Sequence, residues 1–434
     1  MSRSPSTPHA TPTPGTTPTP TAGAPTPGST PASSPDFGFG RPFDRSGTGS
    51  SKWARAAAPG VIAMGLADMD LPGPPAVAEA LARRARHRAY GYTVCDPAGR
   101  ELVARWYRAR HGVAVDPDWV LLLPFGPRTA VRLLLEAVRP HAPVAFPSPE
   151  WGGFAQVCRA AALSYRELPL DLFPADGYRL PSGVLPRPTS VVLLSSPHNP
   201  SGRVWPAEGI RALAEEAAEA GALLVADEVH GDLTHSGHTH PVAVTTVDER
   251  LRARTVTLNS VGKTFNASGL PSSFALVPDP ALRTRLLDTM AGYGFWEGGL
   301  VEQAVQHAAL SEGGPWLDAL LAHLAAARDR LTGLLGPAVR SAPQASYLLW
   351  LDAVALGLPP ADARRALLDR CALEASDGAE FGGDGGDSGG PGGRCTTGTP
   401  TGTTGHGALR LNYALPQPVL ETVLERLARI RTRP

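Results

Sequence analysis

From residue 120 onward, short runs of consecutive apolar residues alternate with stretches whose apolar positions recur every three or four residues. Strands covered on both faces read as unbroken apolar runs, so this alternation predicts a mostly parallel sheet clad in helices. Strands are expected at Val120 to Leu123, Val144 to Phe146, Ser190 to Leu194, Ala222 to Ala226 and Thr255 to Leu258. Helices are expected from Thr129 to Val138, with Val131, Leu134, Leu135 and Val138 inward, and from Pro206 to Ala220, acidic outside and stopped by Gly221. Upstream, Pro74-Pro75 opens a helix to about His87 with Val77, Leu81 and Ala85 on one face. Tyr90-Gly91-Tyr92 is expected to end it, the two tyrosines serving as packing residues. Order is expected to begin near Phe37, with Arg45 to Thr48 and Ser51-Lys52-Trp53 as an arm packed on a larger body.

Composition changes this picture at the ends and excludes several function classes. The first 36 residues are almost wholly Pro, Thr, Ser, Ala and Gly, which cannot bury enough apolar surface to offset chain ordering, so a disordered extension is expected. Prolines interrupt any signal-peptide core there, and no stretch of the chain reads as a membrane span. Lys plus Arg number 40, as do Asp plus Glu, so no overall field draws the chain to nucleic acid or an anionic membrane. Cys95, Cys158, Cys371 and Cys395 form no Cys-x-x-Cys pair, which argues against a zinc knuckle or a secreted disulfide framework and for the cytoplasm. A length of 434 residues points to two or three domains. The Gly, Ser and Thr-rich stretch at about 383–405 reads as a flexible surface loop, with a mobile lid over the site as the other reading.

The candidate chemistry lies after the strands. In a parallel sheet the carboxyl ends of strands share one edge, where ligands bind, so Asn199, Asp227, His230 and Lys263 are expected to converge. Lys263 stands in Ser260-x-x-Lys263; a desolvated lysine loses its proton more readily and can attack a carbonyl. The turn Phe125-Gly126-Pro127-Arg128 enters a helix, whose free N–H groups and dipole suit a phosphate. Pro127 removes one of those donors, and Arg128 is expected to compensate. Trp151 has a flat ring that either covers a planar ligand or fills the core. A carboxylate buried at Asp227 needs a cationic partner, which a protonated pyridine nitrogen supplies. Asn199 can donate to a phenolate, and Ser260 can bind a phosphate. Together these are the demands of pyridoxal 5'-phosphate, which takes a lysine amine on its aldehyde and an acid at its ring nitrogen. Taken singly, Asn199-Pro200 can be a turn and Asp227 a helix cap. Arg410, between Leu409 and Leu411, faces away from its apolar neighbours in a strand, with a fork suited to a carboxylate; a surface arginine on an edge strand is the other reading.

From about Arg45 to its end the chain resembles the fold-type I pyridoxal-phosphate enzymes of the class I/II aminotransferase group, and within it the cystathionine beta-lyase branch of C-S lyases. The resemblance is carried by Trp53, Ala67 to Asp70, Tyr90 to Tyr92, Ser196 to Trp205, Asp227 to His230, Lys263 to Asn266, Gly314 to Leu317, Tyr347 to Asp352 and Arg410 to Asn412. It implies an aspartate aminotransferase-like α/β fold, a large domain with a mostly parallel sheet covered by helices plus a smaller α+β domain. The implied divisions are the extension 1–36, an arm and part of the small domain at 37–85, the cofactor domain at 86–315 and the C-terminal small domain at 316–434. It further implies Lys263 as Schiff-base lysine and general base, Asp227 at the pyridine nitrogen, Asn199 at the phenolic oxygen and Ser260 at the phosphate. His230, Gly126, Pro127 and Arg128 join this cofactor shell, and Trp151 stacks on the ring. Arg410 is implied as the clamp on the substrate carboxylate, and Tyr92 as reaching across a homodimer interface. Pro271 and His230 stand where aminotransferases of the group usually carry arginine and tyrosine, which favours a lyase cleaving cystathionine or cysteine S-conjugates to pyruvate, ammonia and a thiol. An aminotransferase is the alternative, and a non-catalytic regulatory protein on the same fold a second one. The histidines at 230, 235, 238 and 240 raise a zinc site; similar enzymes carry a His-x-His loop without metal, and none is expected.

Overall fold

Uninterrupted runs of Val, Leu and Ala become strands here because helices cover both faces of the sheet they form. The structure is a computed structural model that describes residues 35–56, 58–173, 177–382, 405 and 407–432. The expected disordered extension at 1–36 and the expected loop at 383–405 therefore lie outside the described residues, apart from Pro35, Asp36 and Gly405. The main sheet consists of β1 (Val120–Leu123), β2 (Val144–Ser148), β3 (Tyr165–Pro169), β4 (Val191–Ser195), β5 (Leu223–Asp227), β6 (Thr255–Asn259) and β7 (Ser273–Leu276). Its spatial order is β1-β7-β6-β5-β4-β2-β3. β7 runs antiparallel to both its neighbours, and the other pairs are parallel.

Successive strand residues face opposite sides, and each side has its own core. On one side Leu121, Leu123, Val191, Leu193, Val225, Val256 and Leu258 meet helices α3 (Pro127–Val138), α4 (Gly153–Ala160) and α6 (Pro280–Gly292) through Val131, Leu134, Phe154 and Leu286. On the other, Val192, Leu194, Leu224 and Ala226 meet Ile210, Leu213 and Ala217 of α5 (Ala207–Glu219). A third core joins α1 (Pro75–Arg86), α2 (Pro97–His111), α7 (Leu300–Glu312) and α8 (Gly314–Leu335) to a smaller antiparallel sheet. That sheet has strands β8 (Val339–Ser341), β9 (Leu348–Asp352), β10 (Ser376–Asp377) and β11 (Ala408–Asn412), in the order β8-β9-β11-β10. Arg410 on β11 pairs with Trp350 and Ser376, so its strand is interior, not an edge.

Several expectations need correcting at their ends. Helix α3 starts two residues before Thr129, with Pro127 in its first turn. A proline there costs no helical hydrogen bond and its fixed φ suits the entry, while the N–H it lacks remains one donor fewer for a phosphate. Helix α1 stops at Arg86, before Tyr90-Gly91-Tyr92, and its inward face runs through Val77, Ala80 and Leu81 while Ala85 is exposed. Tyr90 and Tyr92 are not core residues: they are 63% and 93% exposed, and Tyr92 sets its ring edge-on to the half-exposed Trp296. Among the described residues no helix is long and apolar enough to cross a membrane.

Candidate active site

The carboxyl ends of β1, β2, β4, β5 and β6 share one edge of the sheet, and β7, running the other way, begins there. A cavity of about 290 Å³ at this edge is lined by Gly126, Pro127, Arg128, Trp151, Asn199, Asp227, His230, Ser260, Lys263 and Arg410. These residues follow five different strands or sit on the smaller sheet. Of the site residues expected from the sequence, Tyr92 alone stands apart, on the exposed aromatic surface.

Lys263 lies in a single helical turn, Val261–Thr264, whose second amide is capped by Ser260: Gly262 N–H donates to Ser260 Oγ at 2.9 Å. The lysine Nζ donates to the carbonyl of Ala67 at 2.7 Å, and the Tyr347 hydroxyl donates to the same oxygen at 3.2 Å. Burial pulls the lysine down to about 8; the Arg410 charge adds to this, while Asp68 and Asp227 oppose it. Far more of the amine is therefore unprotonated near neutral pH than in an exposed lysine, which favours its use as a base or nucleophile.

Ala67 belongs to an extended strap whose carbonyls, lying outside the sheets, are satisfied by side chains. Asn412 Nδ2 donates to Leu66 and Asp68 carbonyls at 2.9 and 2.6 Å, and Asn266 Nδ2 to the Leu71 carbonyl at 2.7 Å. The fully buried Lys52 donates to the Asp68 carbonyl at 2.9 Å and to Asp70 Oδ2 at 2.8 Å. Asn266 takes φ of 52°, a left-handed conformation asparagine tolerates, and this aims its amide at the strap three residues past the lysine. The expected arm is thereby tied to the site, since Lys52 and Trp53, with Arg45, grip Asp70 and hold the strap against the lysine turn.

Asp227 ends β5 and is 5% exposed. Val229 N–H donates to its Oδ1 at 3.3 Å, and burial pushes the carboxyl up to about 7. Nearby, Asn199 is fixed twice: its N–H donates to Ser195 Oγ at 3.0 Å, and its Oδ1 accepts from Arg410 Nη1 at 2.8 Å. That leaves the amide nitrogen as a donor for another group. Ser195 in turn donates to Glu150, whose carboxyl burial raises to about 8. His230 hydrogen-bonds Ser346 at 3.0 Å and packs edge-on to Tyr347. Burial, with the Lys263 and Arg410 charges, holds its imidazole well below the ordinary histidine range, so it is neutral at pH 7.

Arg410 also donates to the Gly65 carbonyl at 2.7 Å and lies over the Phe381 ring at 4.6 Å. Burial lowers it to about 10, so it stays cationic at neutral pH, and its Nε is buried without a partner. Trp151 presents its edge to Phe154, and the Arg128 guanidinium lies 5.4 Å from the indole centre. A Cβ on Gly153 would come 2.3 Å from the indole, so only glycine allows the ring to lie where it does.

Sequence reasoning gave no role to Glu150, Ser272 or Tyr347. Ser272 lines the cavity with its Oγ buried and without a hydrogen-bond partner. It precedes β7, and only the antiparallel course of that strand brings it to this edge. The histidine group disperses: His235 bonds the Tyr413 hydroxyl and His240 bonds Glu228. Among the described residues no group of three or more His, Cys, Asp or Glu is placed to hold a metal ion.

A family model described as aminotransferase class I and II matches residues 59–427. Cystathionine beta-lyase PatB of Bacillus subtilis (strain 168) is 32% identical over 359 residues, covering 79% of this chain and 92% of the relative. Protein MalY of Escherichia coli (strain K12) is 25% identical over 408 residues, covering 89% and 96%. Cystalysin from Treponema denticola, whose crystal structure contains pyridoxal 5'-phosphate, superposes with a TM-score of 0.78 at 23% identity over 91% of this chain and 99% of its own.

Proposed function

The chain belongs to the aminotransferase class I and II family, and on that premise we propose that it is a pyridoxal-phosphate-dependent carbon–sulfur β-lyase. It cleaves cystathionine or related cysteine S-conjugates, with one water, to pyruvate, ammonia and a thiol. The observation that carries the cofactor is the gathering in one cavity of an amine held near 8, a buried carboxyl held near 7 and a buried guanidinium. The choice of lyase rests on the similarity to PatB and on proline at position 271.

The residues fit the cofactor. Asp227 is a buried acid with one backbone donor, so a cationic ring nitrogen would complete its surroundings. Asn199 would offer its free amide nitrogen to the phenolic oxygen, His230 would pack beside Asp227 as a neutral ring, and Trp151 would cover a ring face. Gly126, Pro127 and Arg128 at the start of α3, with Ser260 and the unpartnered hydroxyl of Ser272, would take the phosphate. When bound, pyridoxal 5'-phosphate supplies an electron sink that lowers the cost of charge at the substrate's α-carbon.

The chain's own groups then do the following. Arg410 binds the substrate carboxylate with its fork and, through its bond to Asn199, ties that contact to the cofactor side. Lys263 takes the α-proton on its Nζ, which the Ala67 carbonyl and Tyr347 keep in place. Loss of the thiolate from the β-carbon follows, and the same amine can return a proton to the departing sulfur.

The proposal includes a cytoplasmic homodimer in which Tyr92 of each subunit reaches the other's site. The exposed ring cluster of Tyr90, Tyr92, Phe295 and Trp296 supports it, since a patch of that kind is usually covered. Residues 86–315 carry the cofactor in this reading, and residues 37–85 and 316–434 frame the substrate side.

The deciding experiment gives the holoprotein cystathionine alone and, separately, amino acids with a keto acid. Pyruvate and thiol in the first, with no amino transfer in the second, are expected. The reverse outcome would make it an aminotransferase. A cofactor absorbance that vanishes in Lys263→Ala, with no amino acid turned over, would favour a binding role.

A further inference from the structure

A second cavity of about 280 Å³ lies next to the first, and Leu66, Arg128, Trp151 and Arg410 border both. Its lining differs in kind. Four guanidinium groups reach it, from Arg55, Arg128, Arg159 and Arg410, against three carboxyls, from Glu150, Glu167 and Glu380. The carboxyls are engaged by the protein. Glu150 accepts from Ser195 and from Trp151 N–H, Glu167 from the Ser148 hydroxyl, and Glu380 from Asp377 N–H. Burial also keeps Glu150 largely protonated at neutral pH.

The guanidiniums are less occupied. Arg410 is committed to Asn199 and the Gly65 carbonyl, and Arg159 donates to the Tyr165 hydroxyl. Arg55 and Arg128 have no ion-pair partner among the described residues, Arg128 resting instead over the Trp151 indole. With Arg128 assigned to the cofactor phosphate, the unpaired fork of Arg55 is the place for a carboxylate, which guanidinium binds in two parallel hydrogen bonds. The cavity begins at Arg410, the residue assigned to the α-carboxylate, so a substituent leaving the substrate's β-carbon has this space beside it.

We propose that this cavity is a subsite for an anionic distal group, and that Arg55 selects cysteine S-conjugates whose S-substituent ends in a carboxylate. This inference rests on the β-lyase reading for the identity of the reacting end.

The test compares two conjugates on the holoenzyme, S-(3-carboxypropyl)-cysteine and its amide S-(3-carbamoylpropyl)-cysteine. The pair leave as nearly identical thiolates and differ only in distal charge. The carboxylate conjugate is expected to have the higher kcat/KM, by about 10-fold or more, with the difference mainly in KM. Arg55→Gln is expected to remove that preference while leaving turnover of the amide within about twofold. The amide thus reports that the variant is folded and loaded. A wild-type preference below twofold, or an equal loss on both conjugates in Arg55→Gln, would overturn the subsite. If neither conjugate releases pyruvate, the lyase reading fails. Calorimetric dissociation constants of the two then decide the subsite by themselves: a ratio of about 10 supports it and a ratio near one ends it.

Discussion

Replacing Asp227 with asparagine should stabilise the protein without cofactor and cripple its hold on the cofactor, two effects of opposite sign from one carboxyl. Burial raises this acid from 3.8 to about 7, a little over three pH units. At 1.36 kcal/mol per unit, the folded protein forgoes about 4 kcal/mol once the carboxyl must ionise. Because the folded value is raised, the group's favourable contribution is complete below pH 3.8 and is lost as the pH climbs through 7. About 3 kcal/mol of that loss falls between pH 5 and pH 8. Asparagine keeps the shape and never ionises. Urea unfolding of the two apoproteins should therefore show Asp227→Asn gaining on the wild type by about 3 kcal/mol from pH 5 to pH 8. In the loaded protein the order reverses, because removing one partner of a buried charge pair costs about 3–5 kcal/mol, or roughly 10²- to 10⁴-fold in cofactor dissociation constant. A stability difference between the apoproteins that does not change with pH would refute the assignment of Asp227 as a desolvated acid awaiting a cation.

Arg410→Lys keeps the charge but loses the planar fork, so kcat/KM should fall about 10- to 100-fold, chiefly through KM, and steady-state rates check this. Arg128→Ala should weaken cofactor retention about fivefold or more in an absorbance titration, and unchanged retention would remove Arg128 from the phosphate end. Sedimentation at micromolar concentration should show a dimer, and Trp296→Asp, which places a charge beside Tyr92 in the exposed ring cluster, should shift it toward monomer.

Much of the site was legible because strand ends are easy to locate. Unbroken apolar runs mark β4, β5 and β6, and the polar residues directly after them, Asn199, Asp227 and Lys263, have little choice but to share an edge. Arg410 was legible for a similar reason, an odd polar residue between two leucines. Its interior position was not, because nothing near residue 410 announces that β10 pairs on its far side. Ser272 was hidden by direction: β7 resembles any short strand, and reading it parallel would put its start at the other end of the sheet. Tyr90 and Tyr92 misled because an aromatic pair beside a helix looks the same whether it faces the chain's own core or open surface.

What the sequence by itself determined is the kind of each element and the inventory of chemical groups, since apolar period and residue type are local properties. Only the tertiary structure decided how those groups behave. Lys263 stands near 8 and Asp227 near 7 because burial in the folded chain desolvates each, against the partial opposition of the other's charge. Desolvation and Coulomb interactions depend on distance in space, and that distance is set by the strap, the antiparallel strand and the interior position of β11, none of which has a local signature.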